Sequence, residues 1–387
     1  MSTNIKNIPF LRIIFFTLIC CYFTLFFACF GRIRVSAFDS VEHWSEIGGG
    51  PLHKNMSADN YNGKLSLLFK LKPRSMVGTT IVTGDNTVFC CTQKGMLQAF
   101  NLTKGKEIGL IKIKYTMVSA PVYDKRILYF ATIDGRHTIR AYDVAKGKFV
   151  WRKNLGVFES PLTVSGDNLF AANRSGTVYC INKRTGEVVW SFEADSEIFS
   201  GLLVTGNRVY VGSLNGVITS VDYNTGEKIW EYDTGQKLRA TPSSDGSRIF
   251  WGTINNNMIA LDARSGQKLW WFSTNGAIFT TPSVAGQRIT FGCNDGIVYS
   301  LDTITGKEKW RFNVGTVVST SCITVGSRIF FGALNKKIYA LDISDGTQVW
   351  EYPVEGRIIA NPAYYDGKLI FPVEHRFLYV FGIADGS

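Results

Sequence analysis

The stretch Asp222-Tyr223-Asn224-Thr225-Gly226-Glu227-Lys228-Ile229-Trp230-Glu231-Tyr232 decides the fold. An aspartate side chain can bond backbone amides two residues on, and glycine accepts a positive φ, so Asp222 to Gly226 reads as a tight hairpin turn. The residues after it are β-branched, aromatic and charged in a mixture that suits a half-exposed strand. Working outward, the same pattern returns. Trp151, Trp190, Trp230, Trp270, Trp310 and Trp350 follow one another at steps of 39 or 40 residues. Each stands four residues after a turn glycine, namely Gly147, Gly186, Gly226, Gly266, Gly306 and Gly346; Gly105 extends that series backward and Gly386 forward. Asp143, Asp222, Asp262, Asp302 and Asp342 open five of these turns, and Asn101 and Asn182 open two more.

A second turn series precedes the first by ten residues: Gly176, Gly216, Asn256, Gly296, Lys336 and Arg376. Asn215-Gly216 and Asp295-Gly296 are strong tight-hairpin signals. Short β-rich runs such as Arg208-Val-Tyr-Val-Gly212 and Val217-Ile-Thr-Ser-Val221 lie between the turns. Four antiparallel strands in about 40 residues are the dimensions of a propeller blade. The last unit stops at Asp385-Gly386 without a Trp-bearing outer strand, whereas Asn62-Gly63-Lys64-Leu-Ser-Leu-Leu-Phe-Lys70 has the shape of such a strand without the turns before it. An N-terminal strand that completes the last blade leaves no open edge. Residues 63–387 suffice for eight units. The sequence therefore predicts an all-β, eight-bladed propeller of four-stranded antiparallel blades, closed by its N-terminal strand.

The first 37 residues read as an address. Residues 13–30 carry no charge and follow Lys6 and Arg12, the form of a secretory signal or an uncleaved anchor. Three fates stay open. Leu25-Phe26-Phe27-Ala28-Cys29 is similar to a loose bacterial lipobox and would make Cys29 a lipidation site; Val35-Ser36-Ala37 offers small residues for an ordinary signal peptidase; or the segment stays uncleaved. All three carry the chain across a membrane. The expected organisation is 1–37 signal or anchor, 38–62 lead-in and 63–387 propeller.

Composition excludes several classes. With 45% hydrophobic and 19% charged residues the chain is not a disordered polar one. The formal charge is +11, but Lys6, Arg12, Arg32 and Arg34 belong to the first 37 residues, and no dense basic run follows them. Nucleic acid is not an expected partner. Cys20, Cys21 and Cys29 fall in the address; Cys90, Cys91, Cys180, Cys293 and Cys322 are an odd set in separate repeats, which argues against a disulfide framework. His43, His53, His137 and His375 are scattered, without zinc-ligand spacing. Nucleophile-elbow, metalloprotease and phosphate-loop signatures are absent.

The recurrent Asp-x-x-Thr-Gly-x-x-x-Trp resembles the repeat of pyrroloquinoline quinone (PQQ) enzymes, over everything after residue 62. Trp44-Ser-Glu-Ile-Gly-Gly-Gly-Pro-Leu-His53 is similar to the start of such propellers. The resemblance describes a fold, and function follows from the site. It implies four readings. A quinoprotein dehydrogenase would use PQQ and Ca²⁺, and Cys90-Cys91 stands where a vicinal disulfide could stack on the quinone. However, Phe89-Cys90-Cys91-Thr92 aligns with Tyr210-Val211-Gly212-Ser213, an ordinary strand, and the 40-residue spacing leaves no room for a cofactor funnel or a calcium site. No cofactor is expected. A scaffold resembling the BamB family fits the size, the bare loops and the anchor. In that family a Leu-Arg before one inner strand contacts the barrel-insertase partner, and Leu238-Arg239 is similar; the acidic residues of the next blade are replaced here by Ala277-Ile278-Phe279. A ligand-binding propeller would display loop aromatics, and Phe199, Phe279 and Tyr365 are instead expected to pack between blades. A eukaryotic secretory propeller would use the sequons at Asn55, Asn101 and Asn173. The six repeat tryptophans are expected to be structural, each indole bridging neighbouring blades. The preferred expectation is a monomeric, membrane-anchored, extracytoplasmic scaffold that binds an envelope protein, with no catalytic residues.

Overall fold

The computed structural model describes residues 32–39, 44–59 and 65–383. Eight antiparallel sheets stand in a ring, each running from an inner strand at the axis to an outer strand at the circumference. Blades 1 to 7 span 77–112, 122–153, 163–193, 203–233, 243–273, 283–313 and 323–353. Blade 8 takes 363–383 and, as its outer strand, Leu65–Leu71, which pairs antiparallel with Phe377–Ile383. Closure by the N-terminal strand is thus observed. Blade 7 carries one addition, Met56–Ser57 paired parallel to its inner strand.

The Asp turns form as the side-chain chemistry requires. Asp222 Oδ1 accepts the amides of Asn224 at 2.8 Å and Thr225 at 3.0 Å, and Asp302 does the same with Ile304 and Thr305. The Thr305 amide leads the donors that pull the Asp302 carboxyl down to about 2. Beyond the turn, the residue before each tryptophan is bulged out of register, as with Val189, Ile229 and Leu269. A bulge re-aims the next side chain. It swings the indole into the seam between blades and leaves Val189, Ile229 and Leu269 exposed. There Trp151, Trp190, Trp270 and Trp310 donate their N–H to the carbonyls of Lys183, Tyr223, Thr303 and Ile343 of the following blade, at 2.9–3.0 Å. Trp230 differs: its N–H has no partner among the described residues, and the corresponding carbonyl, Ala263 O, accepts the Tyr210 hydroxyl at 2.9 Å. Trp350 lies against Tyr352 and Phe381. The core is a series of such seams; one joins Phe170, Val178 and Trp190 with Val204, Val209 and Val221.

Two N-terminal segments complete the ring. Residues 44–59 run around the axis and offer one hydrogen-bond acceptor to each inner strand in order. The carbonyls of Trp44 and Ser45 take the amides of Thr83 and Tyr123, the Glu46 carboxylate takes Val164, and the carbonyls of Pro51, Leu52, Lys54 and Asn55 take Val204, Ser244, Val284 and Thr324. Asp59 finishes the circuit by accepting the Tyr364 hydroxyl of blade 8 at 2.6 Å. The lead-in is therefore an axial belt of the propeller.

Residues 32–39, which span the expected boundary at 37/38, pack against blades 1 and 2. Blade 1 has Gly109 where blades 2 to 7 carry Trp, and Ile33 fills the space: a Cβ on Gly109 would stand 2.6 Å from the Ile33 Cα. Ile33 and Val35 are buried, Tyr142 Oη bonds both the amide and the carbonyl of Ile33 at 3.2 Å, and the Val35 amide donates to Val144 O at 3.0 Å. Cleavage after Ala37 would strip this seam. Cys29, residues 13–30 and Gly386 lie outside the described residues. Among the described residues no helix is long and apolar enough to cross a membrane.

Candidate functional site

The loops that lead from each outer strand to the next inner strand gather around one end of the axis. Four residues before the inner strands of blades 3 to 6 stand Glu159, Phe199, Arg239 and Phe279, one per blade. Two residues further on, Thr80, Pro161, Thr241, Thr281 and Asn361 line the wall below them. The wall is stitched between blades: Gly201 N donates to Thr241 Oγ1 at 3.0 Å, Thr281 N to Ser321 Oγ at 3.0 Å and Ser321 N to Asn361 Oδ1 at 2.9 Å. Together these residues enclose a vestibule of about 400 Å³, floored by Ile47 of the axial belt.

The rim has a distinct chemistry. The Arg239 guanidinium sits 4.5 Å from the Phe199 ring centroid, and Arg174 lies 5.7 Å from the same ring. Arg174 also pairs with Glu159 at 3.2 Å and Glu197 at 3.1 Å, so its charge is spent within the rim. Arg239 forms no salt bridge among the described residues and is exposed. Phe279 is 42% exposed. An exposed cation stacked on one aromatic ring and beside another can bind a carboxylate and an apolar group together.

Leu238 does not share this surface. The short extended run points it inward, where it is fully buried with Tyr210, Trp251 and Ile259, so of the expected Leu238-Arg239 pair only Arg239 can meet a partner. Tyr365 is buried, but Phe199 and Phe279 line the mouth; the expectation that all three pack between blades is corrected for these two. The signal was available, because both occupy the register of Arg239 one blade to either side. Asn55 is buried and donates to the carbonyls of Thr281 and Pro282, while Asn173 is buried and bonded to Leu155 O. Neither is open to glycosylation in the fold. Cys90 and Cys91 are buried free thiols on opposite faces of their strand, one in the blade 8 seam and the other in the seam with blade 2. Burial pushes Cys91 up to about 12.

Beneath the vestibule the belt buries two titratable groups. Burial raises the Glu46 carboxyl well above its ordinary range, against the lowering effect of the Val164 amide. Burial lowers His53 to about 4, while Nδ1 pairs with Pro242 O at 3.0 Å and Nε2 has no partner among the described residues.

A closed ring of eight four-stranded blades, six of them carrying the seam tryptophan, with bare loops around a belted axis, defines a PQQ-like β-propeller. Within that class the chain belongs to the family described as outer membrane protein assembly factor BamB, whose model matches residues 54–153, 135–238, 214–324 and 294–387. The outer membrane protein assembly factor BamB of Legionella pneumophila (strain Paris) is 27% identical over 117 residues, which are 27% of this chain and 30% of that protein. The aligned part thus spans under a third of that relative. The crystal structure of BamB from Moraxella catarrhalis superposes with a TM-score of 0.73 at 15% identity, covering 82% of this chain and all of that one. Quinohemoprotein alcohol dehydrogenase from Comamonas testosteroni gives 0.76 at 14% identity, covering 89% and 81%. At such identities the two structures share the fold.

Proposed function

We propose that this protein is a non-catalytic, membrane-associated, extracytoplasmic scaffold that recruits an envelope protein in outer-membrane protein assembly. The observation that carries the reading is the rim itself: exposed Arg239 over Phe199, next to exposed Phe279, on a face whose loops hold no other elaboration. Membership of the BamB family supports the same role. A partner that presents a carboxylate beside an apolar side chain fits these groups. A charge contact of this kind acts mainly on association rate and its salt dependence.

The quinoprotein reading is the rival, because dehydrogenases share the fold. Calcium wants six to eight oxygen ligands, several of them carboxylates. The vestibule offers one carboxylate, Glu159, already engaged by Arg174, and the axis below it is filled by residues 44–59. These residues do not fit a calcium–quinone pair. Incubating the purified protein with PQQ and Ca²⁺, then following absorption and dye-linked alcohol oxidation, tests the scaffold reading. No retained quinone and no turnover are expected; stoichiometric quinone or turnover would overturn it.

A further inference from the structure

The face opposite the vestibule carries a second feature. Between blades 2 and 3 the turns enclose a groove of about 500 Å³, lined among others by Lys125, Lys146, Lys148 and Arg184. All four are exposed. The acids of this region are Asp124, Asp143 and Asp167. Asp124 is held by the buried Lys183 at 2.7 Å, Asp143 by Lys146 at 3.5 Å and by the amides of Ala145 and Lys146, and Asp167 by Arg184 at 3.2 Å. Lys125 and Lys148 form no salt bridge among the described residues. The matching turn of blade 7 carries Asp342 and Asp345 and no cation, whereas those of blades 5 and 6 carry Arg264, Lys268, Lys307 and Lys309, so what singles out blades 2 and 3 is the N-terminal strap beside them.

The chain itself leads to this place. Residues 32–35 alternate outward and inward, with Arg32 and Arg34 exposed and Ile33 and Val35 buried in the blade 1–blade 2 seam. A Cβ on Gly147, in the same turn as Lys146 and Lys148, would stand 3.1 Å from the Arg34 side chain. Phe38 is capped by Arg126 at 3.7 Å, beside Lys125. The uncharged stretch 13–30 ends two residues before Arg32. Two residues of chain span at most about 7 Å. If that stretch or a lipid on Cys29 is held in a bilayer, the pinned strap brings the basic turns to the headgroup layer, where each cation is attracted by anionic lipid within a Debye length.

We propose that the turn face of blades 2 and 3, together with residues 32–35, rests on the anionic headgroups of a phospholipid bilayer. The inference rests on the membrane-associated reading above. It directs the vestibule rim away from the membrane, since the rim lies at the other end of the axis.

The test is lysine footprinting of the full chain reconstituted in vesicles of phosphatidylcholine alone or with about one third phosphatidylglycerol. Acetylation of Lys125, Lys146 and Lys148 is read by mass spectrometry against exposed Lys237 in the vestibule loops. In anionic vesicles the three groove lysines should label roughly tenfold more slowly than in zwitterionic ones, and about 1 M salt should restore them. Chain retained in both vesicles with unchanged labelling ratios would overturn the headgroup contact and leave the anchor standing. Chain retained by neither vesicle would sink the anchor, and the contact with it.

Discussion

Replacing Gly306 by alanine should cost far more than replacing Gly286, although both have positive φ. Gly306 closes an Asp turn at φ +69°, and a Cβ there would stand 2.6 Å from Cδ2 of Trp270 and 2.8 Å from Cγ and Cε3. That indole cannot retreat. It is 8% exposed, its N–H is bound to Thr303 O at 3.0 Å, and its ring lies 5.8 Å from that of Phe250. Gly286 has φ +56° and no heavy atom within 4 Å of its would-be Cβ. Left-handed backbone costs an alanine about 1–2 kcal/mol, which both variants incur. Overpacking adds about 1–3 kcal/mol, for Gly306→Ala alone. The expected losses are about 2–5 kcal/mol and about 1–2 kcal/mol respectively. Urea titration followed by tryptophan fluorescence and circular dichroism, with unchanged slopes, reads the difference as a shift in midpoint. Equal midpoints for the two variants would refute the Trp-on-Gly seam as a tight contact.

Trp270→Ala should lose about 3–5 kcal/mol through the cavity it leaves, read by the same titration; an unchanged midpoint would mean that the indole is not a seam residue. His53 is neutral in the fold because burial lowers it to about 4, so its contribution is complete above pH 6.5 and is lost as pH falls toward 4. Between pH 7 and pH 5 that loss amounts to about 2 kcal/mol and should vanish in His53→Gln, as compared by urea midpoints at the two pH values. Glu46 acts in the opposite sense: its raised pKa favours the protonated form, so stability is lost as pH rises above 4.5, and Glu46→Gln should be more stable than the parent at pH 8. Removing residues 38–72 takes away both the axial belt and the outer strand of blade 8; the product should aggregate, and a soluble 73–387 fragment that unfolds cooperatively would contradict closure by Leu65–Leu71.

The blades were legible because their chemistry is local. Asp222 and Gly226 form a turn by themselves, and the constant step to the next tryptophan leaves few alternatives to a ring. The outer strand of blade 8 was legible from a deficit at one end of the chain and a surplus at the other. What escaped notice depends on backbone atoms or on substitution across a long separation. Nothing in Trp44 to Asn55 marks their carbonyls as partners of six inner strands, because a main-chain acceptor has no residue type. Ile33 stands in for a tryptophan missing from blade 1; the signal was Gly109 at the Trp register, but Arg32-Ile33-Arg34-Val35 follows an apolar run and reads as its flank. At the mouth, alternation along Leu238-Arg239-Ala240 turned Leu238 inward and left Arg239 outside. Phe199 and Phe279 share the Arg239 register, and aligning the loops would have placed all three on one rim.

The measurement that bears most directly on the scaffold role is native co-purification from envelope membranes, comparing the parent with Arg239→Glu and with Arg264→Glu, an exposed turn residue away from the rim. The account predicts that a β-barrel assembly protein accompanies the parent and Arg264→Glu, and that Arg239→Glu loses it, with association slowed and its salt dependence inverted. Full retention of that protein by Arg239→Glu would contradict the rim as the recruiting surface.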